Sequence, residues 1–159
     1  MTKPLVVILI GSKADLEHAA KISDACKGFG IETVTRIGSA HKTAEHVLAI
    51  LHEYEADARP KVYITVAGRS NALSGFVDGA VSVPVIACPP ASEAFGGADV
   101  FSSLRMPSGI APAVVLDPAN AALLAAKIFG LGNVEVREQV KESQRRAAEK
   151  IVADDASVQ

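Results

Sequence analysis

Three strand-like segments each stop at a glycine, and that pattern constrains the fold most. Leu5 to Ile10 is an unbroken apolar run rich in β-branched residues, and it ends at Gly11. Ile31 to Ile37 ends at Gly38, and Lys61 to Ala67 ends at Gly68. A short apolar run without polar alternation suits a strand covered on both faces. Between these segments, Leu16, Ala19, Ile22, Cys26 and Phe29 recur at helical spacing, as do Val47, Ile50, Leu51 and Tyr54. Strands that alternate with helices predict an α/β fold of three layers, a parallel sheet between two layers of helices. The crossovers should be right-handed.

The remaining elements follow from the same signals. Gly28 and Gly30 close the first helix, and Thr43 is a good N-cap for the second. Gly68 to Gly79 reads as a turn and a helix of small residues. Val83 to Ala87 is a fourth strand, stopped by Pro89-Pro90. Asp99 to Arg105 reads as a short helix, and Ala113 to Leu116 as a fifth strand. Pro118 opens a helix that runs to Leu131, since proline is tolerated in a first helical turn. A last helix, Val134 to Asp154, is charged, with an apolar stripe at Val136, Val140, Ala147 and Ile151. That stripe must lie on something, either the rest of the domain or a neighbouring subunit. The chain has 159 residues and reads as one domain over 1–159, because domains commonly run to ~100–200 residues.

Composition removes several function classes. The formal net charge is -2, from 16 basic and 18 acidic residues. With no basic excess, nucleic acid is not a partner on electrostatic grounds, and any phosphate needs a local site. Cys26 and Cys88 are the only cysteines. They read as small buried apolar side chains in a reducing compartment. No Cys-x-x-Cys occurs, so no structural zinc site is expected. No apolar run approaches the ~20 residues that span a bilayer. Leu5 to Ile10 is too short for a signal peptide, so the expected location is cytoplasmic, with no membrane partner.

In parallel α/β sheets, ligands sit beyond the carboxyl ends of the strands. Three polar, glycine-bearing segments occupy that edge. Gly11 to Asp15 joins the first strand to the first helix, where free N–H groups favour an anion. Ser12 can donate a hydroxyl bond there, and Asp15 can accept from ribose hydroxyls. The alternative for this pair is an ordinary cap and first-turn acid. In Gly38 to Thr43, His41 stands beside Lys42, which combines proton transfer with anion binding. An imidazole titrates near about 6.5, which suits acid–base work near neutrality. In Ala67 to Gly75, small residues let a ligand approach the backbone. Arg69 can meet an anion there, and Ser70 or Asn71 can bond a planar ring. His18, His46 and His52 lie within helices and read as solvated. The stretches Ala87 to Pro90 and Ser102 to Gly109 either wall a pocket or form a subunit contact.

Taken together, Gly11-Ser12-x-x-Asp15, Ser39-Ala40-His41-Lys42, Ala67-Gly68-Arg69-Ser70-Asn71 and Ser103-Leu104-Arg105-Met106-Pro107-Ser108-Gly109 resemble phosphoribosylaminoimidazole carboxylase of purine biosynthesis. The resemblance runs from about Leu5 to Leu131. It implies a flavodoxin-like domain in a homo-oligomer, a tetramer or octamer, with sites built partly by neighbouring subunits. It also implies a carboxy-lyase independent of ATP, and no recognisable ATP-binding or biotin-attachment motif is present. The family has two branches. One is a mutase that moves a carboxylate within N5-carboxyaminoimidazole ribonucleotide. The other, the class II branch, joins aminoimidazole ribonucleotide and free CO2. The mutase branch usually carries Ala-Gly-Ala-Ala-His-Leu after strand three, where this chain has Arg69, Ser70 and Asn71. Lys42 stands where the mutase commonly has arginine, and Ala14 replaces a frequent serine. The resemblance therefore implies the direct, CO2-using carboxylase. By motif, Ser12, Asp15, Ser39 and Lys42 would hold the ribose 5-phosphate end. Gly68, Arg69 and Ser70 would line the base and CO2 region. His41 would transfer the proton. Neither metal nor cofactor is implied.

Two rivals from other classes fit poorly. A phospho-receiver module needs an aspartate at the end of strand three and acids after strand one, where this chain has Ala67-Gly68 and Gly11-Ser12. A flavin carrier is disfavoured by the lack of tryptophan and by only two tyrosines.

Overall fold

The computed structural model describes residues 2–158. A five-stranded parallel sheet has the order β2-β1-β3-β4-β5. Its strands are β1 (Leu5–Ile10), β2 (Glu32–Ile37), β3 (Lys61–Val66), β4 (Val85–Ala87) and β5 (Ala113–Val114). The helices are α1 (Leu16–Lys27), α2 (Ala44–Glu55), α3 (Ala72–Asp78), α4 (Phe101–Leu104), α5 (Pro118–Phe129) and α6 (Val134–Ser157). This strand order is the flavodoxin-like one.

Every residue of β1 and β3 is buried, because each strand has a neighbour on both sides and helices on both faces. Alternate residues face opposite layers. Val6, Ile8 and Ile10 pack with Ala19, Ile22 and Cys26 of α1 and with the alanines of α5. Leu5, Val7 and Leu9 pack with Val47, Ile50 and Leu51 of α2 and with Leu73 and Val77 of α3. Gly38 is needed for this closeness. A Cβ there would lie 2.7 Å from Val47 Cγ2, well inside van der Waals contact.

Four elements depart from the sequence reading. β4 starts at Val85 rather than Val83, and β5 is two residues long rather than four. β5 is the sheet edge and pairs only with β4, so its length is limited by the short strand beside it. Before α4 lies a 3-10 segment, Ala94–Val100, that hydropathy does not reveal. Phe95, Gly96 and Gly97 there take φ of 50°, 62° and 81°, all left-handed. The fourth departure is in α6. Val136 and Val140 are buried, and Arg137 ties this end down by donating to the carbonyls of Gly130 (2.7 Å) and Leu131 (2.9 Å). The rest of the expected stripe is uncovered: Ala147 is exposed, and Ile151 is 67% exposed.

Both cysteines are buried and unpaired, and burial pushes each thiol up to about 12. Among the described residues, no helix is long and apolar enough to cross a membrane.

Candidate functional site

Strand order reverses between β1 and β3, and a crevice opens there beyond their carboxyl ends. The cleft measures about 580 Å³. The eight residues to which the resemblance gives a role all line it: Ser12, Asp15, Ser39, His41, Lys42, Gly68, Arg69 and Ser70. The three loops converge because β2, β1 and β3 lie side by side and parallel, so their following turns share one edge. Gly11 N–H donates to Val66 O (2.9 Å) and Gly38 N–H to Ile10 O (3.0 Å), which holds the strand ends level.

The first loop is pre-shaped. Asp15 Oδ2 accepts from Ser12 N–H (3.1 Å) and from Ser12 Oγ–H (3.2 Å). The pair is therefore a turn-capping arrangement as well as part of the cleft. Asp15 Oδ1 remains for a hydroxyl donor.

The second loop folds around Ser39. Its carbonyl accepts from Thr43 N–H (2.8 Å) and Thr43 Oγ1–H (3.2 Å), and its own N–H donates to Thr43 Oγ1 (2.9 Å). Thr43 does occupy the N-cap position of α2, but its hydroxyl turns back to Ser39 instead of capping the helix. Ser39 Oγ accepts from Lys42 N–H (3.3 Å), so its proton is free to donate into the cleft. This tight turn leaves His41 and Lys42 exposed at the cleft edge.

The third loop carries Arg69, whose φ of 60° is left-handed and costly for a side chain with a Cβ. Arg69 and Ser70 face the cleft, but Asn71 does not. Asn71 is only 3% exposed, and its amide is spent on protein partners. Its Nδ2 donates to Ser103 Oγ (2.9 Å), and its Oδ1 accepts from Ser74 N–H (3.2 Å). Bonding a planar ring through Asn71 is thus ruled out by burial.

Electrostatically, the cleft holds free cations. Arg36 is paired with Glu53, and Arg59 with Glu32 and Asp57. Among the described residues, neither Lys42 nor Arg69 has such a partner. Two unpaired cations over one cleft leave it suited to an anionic ligand. His41 is the only histidine in the lining.

Sequence reasoning left one wall undecided and misplaced one histidine. Pro90, Ala91 and Ser92 close the side of the cleft opposite α2, and Gly68 lies against Pro90, where a Cβ would meet its Cγ at 3.4 Å. None of the stretch from Ser102 to Gly109 lines the cleft in one chain. His18 is not solvated. It is half-buried, with Nε2 3.3 Å from Cys88 Sγ, just before that proline wall. Burial is the main cause that pulls its pKa below 6.5. Among the described residues, no cluster of three or more His, Cys, Asp or Glu suits a metal ion.

Known proteins share both sequence and shape with this chain. Residues 5–150 match the family AIR carboxylase. The chain is 62% identical over 156 residues to a phosphoribosylaminoimidazole carboxylase of Treponema denticola, covering 98% of each. Its similarity to the Archaeoglobus fulgidus protein of that name is 56% identity over 149 residues, covering 94% of this chain and 82% of the other. The human bifunctional carboxylase/succinocarboxamide synthetase is 47% identical over 138 residues, where the match spans 87% of this chain but 32% of the human one. The crystal structure of Treponema denticola PurE has the same fold, with a TM-score of 0.97 at 61% identity over 99% of both chains. Fold and sequence agree: the chain belongs to the AIR carboxylase family.

Proposed function

We propose that this chain carboxylates 5-aminoimidazole ribonucleotide with CO2 at ring carbon four, reversibly, giving 4-carboxy-5-aminoimidazole ribonucleotide. The step belongs to purine biosynthesis, and the chain is an ATP-independent carboxy-lyase. One observation carries the choice of CO2. The loop after β3 presents Arg69 and Ser70 to the cleft, and His41 is the only imidazole in the lining. A carboxylate shift between nitrogen and carbon in the mutase branch works with a second histidine at that loop. Here Asn71 holds that place and is turned into the protein.

The aminoimidazole ring is an enamine, so carbon four is already nucleophilic. It attacks the carbon of CO2; a C–C bond forms, and one C=O electron pair moves to oxygen. Carbon four is then tetrahedral and still bears hydrogen. His41 takes that proton, the C–H pair returns to the ring, and aromaticity is restored. In reverse, protonated His41 delivers the proton to carbon four and CO2 departs. No cofactor is drawn on at any point. Arg69 stabilises the new carboxylate, while Gly68 and Ser70 line the base and CO2 region. Lys42, Ser39 and Ser12 hold the 5-phosphate, with Asp15 Oδ1 placed for ribose hydroxyls. Holding CO2 over the ring and excluding water supplies much of the rate. The chain acts as a homo-oligomer, a tetramer or octamer, in the cytoplasm, and a neighbouring subunit covers the outer half of α6.

His41→Asn tests the assignment of the base. A general base contributes about 10²–10⁴-fold. The variant should bind nucleotide by calorimetry as the unmodified chain does, and lose turnover by that factor. Near-normal turnover would sink the mechanism.

A further inference from the structure

The stretch from Ser102 to Gly109 does not line the cleft, yet it reaches the cleft through hydrogen bonds. Arg69 sits in the left-handed region with φ of 60°. A turn that only changed direction there would be served by glycine, which takes this conformation freely. A strained residue at a site persists only where its surroundings over-determine it. The surroundings here come from α4. Asn71 N–H donates to Ser102 Oγ (2.9 Å), and Ser102 Oγ lies 3.3 Å from the carbonyl oxygen of Arg69, close enough to donate to it. Its single proton is shared between that carbonyl and the nearer Asp99 O (2.8 Å), and the two acceptors together fix its rotamer. Beside it, Asn71 Nδ2 donates to Ser103 Oγ (2.9 Å), and Ser103 is 1% exposed.

We propose that Ser102, with Ser103 and Asn71, is a positioning residue that clasps the turn 69–71 from outside the cleft and aims the Arg69 guanidinium at the reacting carboxylate. The clasp grips the backbone on both sides of Ser70, at the carbonyl of Arg69 and the N–H of Asn71. Arg69 itself is exposed and in no ion pair among the described residues, so its side chain has no salt-bridge tether of its own. Its starting direction, the Cα–Cβ bond, is set by the backbone of this turn, which Ser102 and Ser103 hold through Asn71 and the Arg69 carbonyl. This role rests on the proposed function of Arg69, and it gives two adjacent serines outside the cleft lining a task at the site.

The test is a double-mutant cycle in the full chain. Turnover is followed on whichever of aminoimidazole ribonucleotide with CO2, or N5-carboxyaminoimidazole ribonucleotide, the unmodified chain consumes. A wrong branch assignment thus shows in the unmodified protein, and a wrong clasp only in the variants. Ser102→Ala should lower kcat at least tenfold, with the nucleotide Kd unchanged within twofold. Ser102→Thr, which keeps the hydroxyl, should restore kcat to within about threefold. In an Arg69→Ala background, Ser102→Ala should cost less than twofold more, because it acts through Arg69. If Ser102→Ala does not fold, Ser102→Cys takes its place in the cycle, since a thiol bonds only weakly. Losses that multiply in the double variant, normal turnover in Ser102→Ala, or normal turnover in Arg69→Ala would each overturn the proposal.

Discussion

Burial governs how His18 behaves. Its neighbours Glu17 and Lys21 are exposed and paired with each other, so the local sequence reads as a solvated helix face. Only the packing of β4 brings Cys88 to within 3.3 Å of its ring. Burial, the leading cause, favours the neutral imidazole; the hydrogen bond to Cys88 opposes that shift, as do Asp15 and Asp117, and Lys21 adds to it. Because the folded pKa lies below the unfolded value of about 6.5, the folded chain binds protons less readily than the unfolded chain. This contribution to stability is complete above pH 6.5 and is lost as pH falls through 6.5 towards the folded pKa. Urea unfolding at pH 7.5 and pH 5.5 should therefore show a larger loss of stability on acidification for the unmodified chain than for His18→Gln. Equal losses would show that the ring does not titrate as its burial requires. At this scale the sequence does identify the residues of the first three loops, because each directly follows a strand. It cannot reveal a partner 70 positions away.

At the scale of elements, β1, α1, α2 and β3 are legible to within a residue or so, since their apolar patterns are long and both faces of the strands are covered. The edge is less legible. β5 shrinks to Ala113–Val114 because a strand extends only as far as its partner does, and β4 is short. The left-handed run at Phe95 to Gly97 is a backbone property that no apolar period encodes. α6 divides in two. Its first turns bury Val136 and Val140, while its later turns carry ion pairs such as Arg145–Glu142 and Arg146–Glu142. Exposed pairs of this kind contribute little to stability, because solvent screens them. The remaining stripe, at Ala147 and Ile151, needs a second surface if it is to be buried at all. Ile151→Lys should lower the mass in solution by sedimentation while leaving the circular dichroism of the fold intact. An unchanged assembly would show that a neighbour does not cover this stripe.

Across the whole molecule, the parallel sheet determines where chemistry can occur. The order β2-β1-β3 puts three strand ends next to one another, so three loops distant in sequence share one cleft. That convergence follows from topology, and for that reason Ser12, His41 and Arg69 can be placed together from the sequence. The wall at Pro90 to Ser92 cannot, because the loop after β4 is free to turn either way until Gly68 packs on Pro90. Asn71 is misread for a similar reason: its side chain points where Ser103 offers an acceptor. The resulting cleft, with Lys42 and Arg69 unpaired among the described residues and His41 in its lining, is the basis of the proposed direct use of CO2. The measurement that bears on this most directly compares two substrates with the unmodified chain. Aminoimidazole ribonucleotide with CO2 is set against N5-carboxyaminoimidazole ribonucleotide, each at saturating nucleotide. Efficient turnover of the first, with little or none of the second, is the predicted result. Efficient turnover of only the second would contradict it.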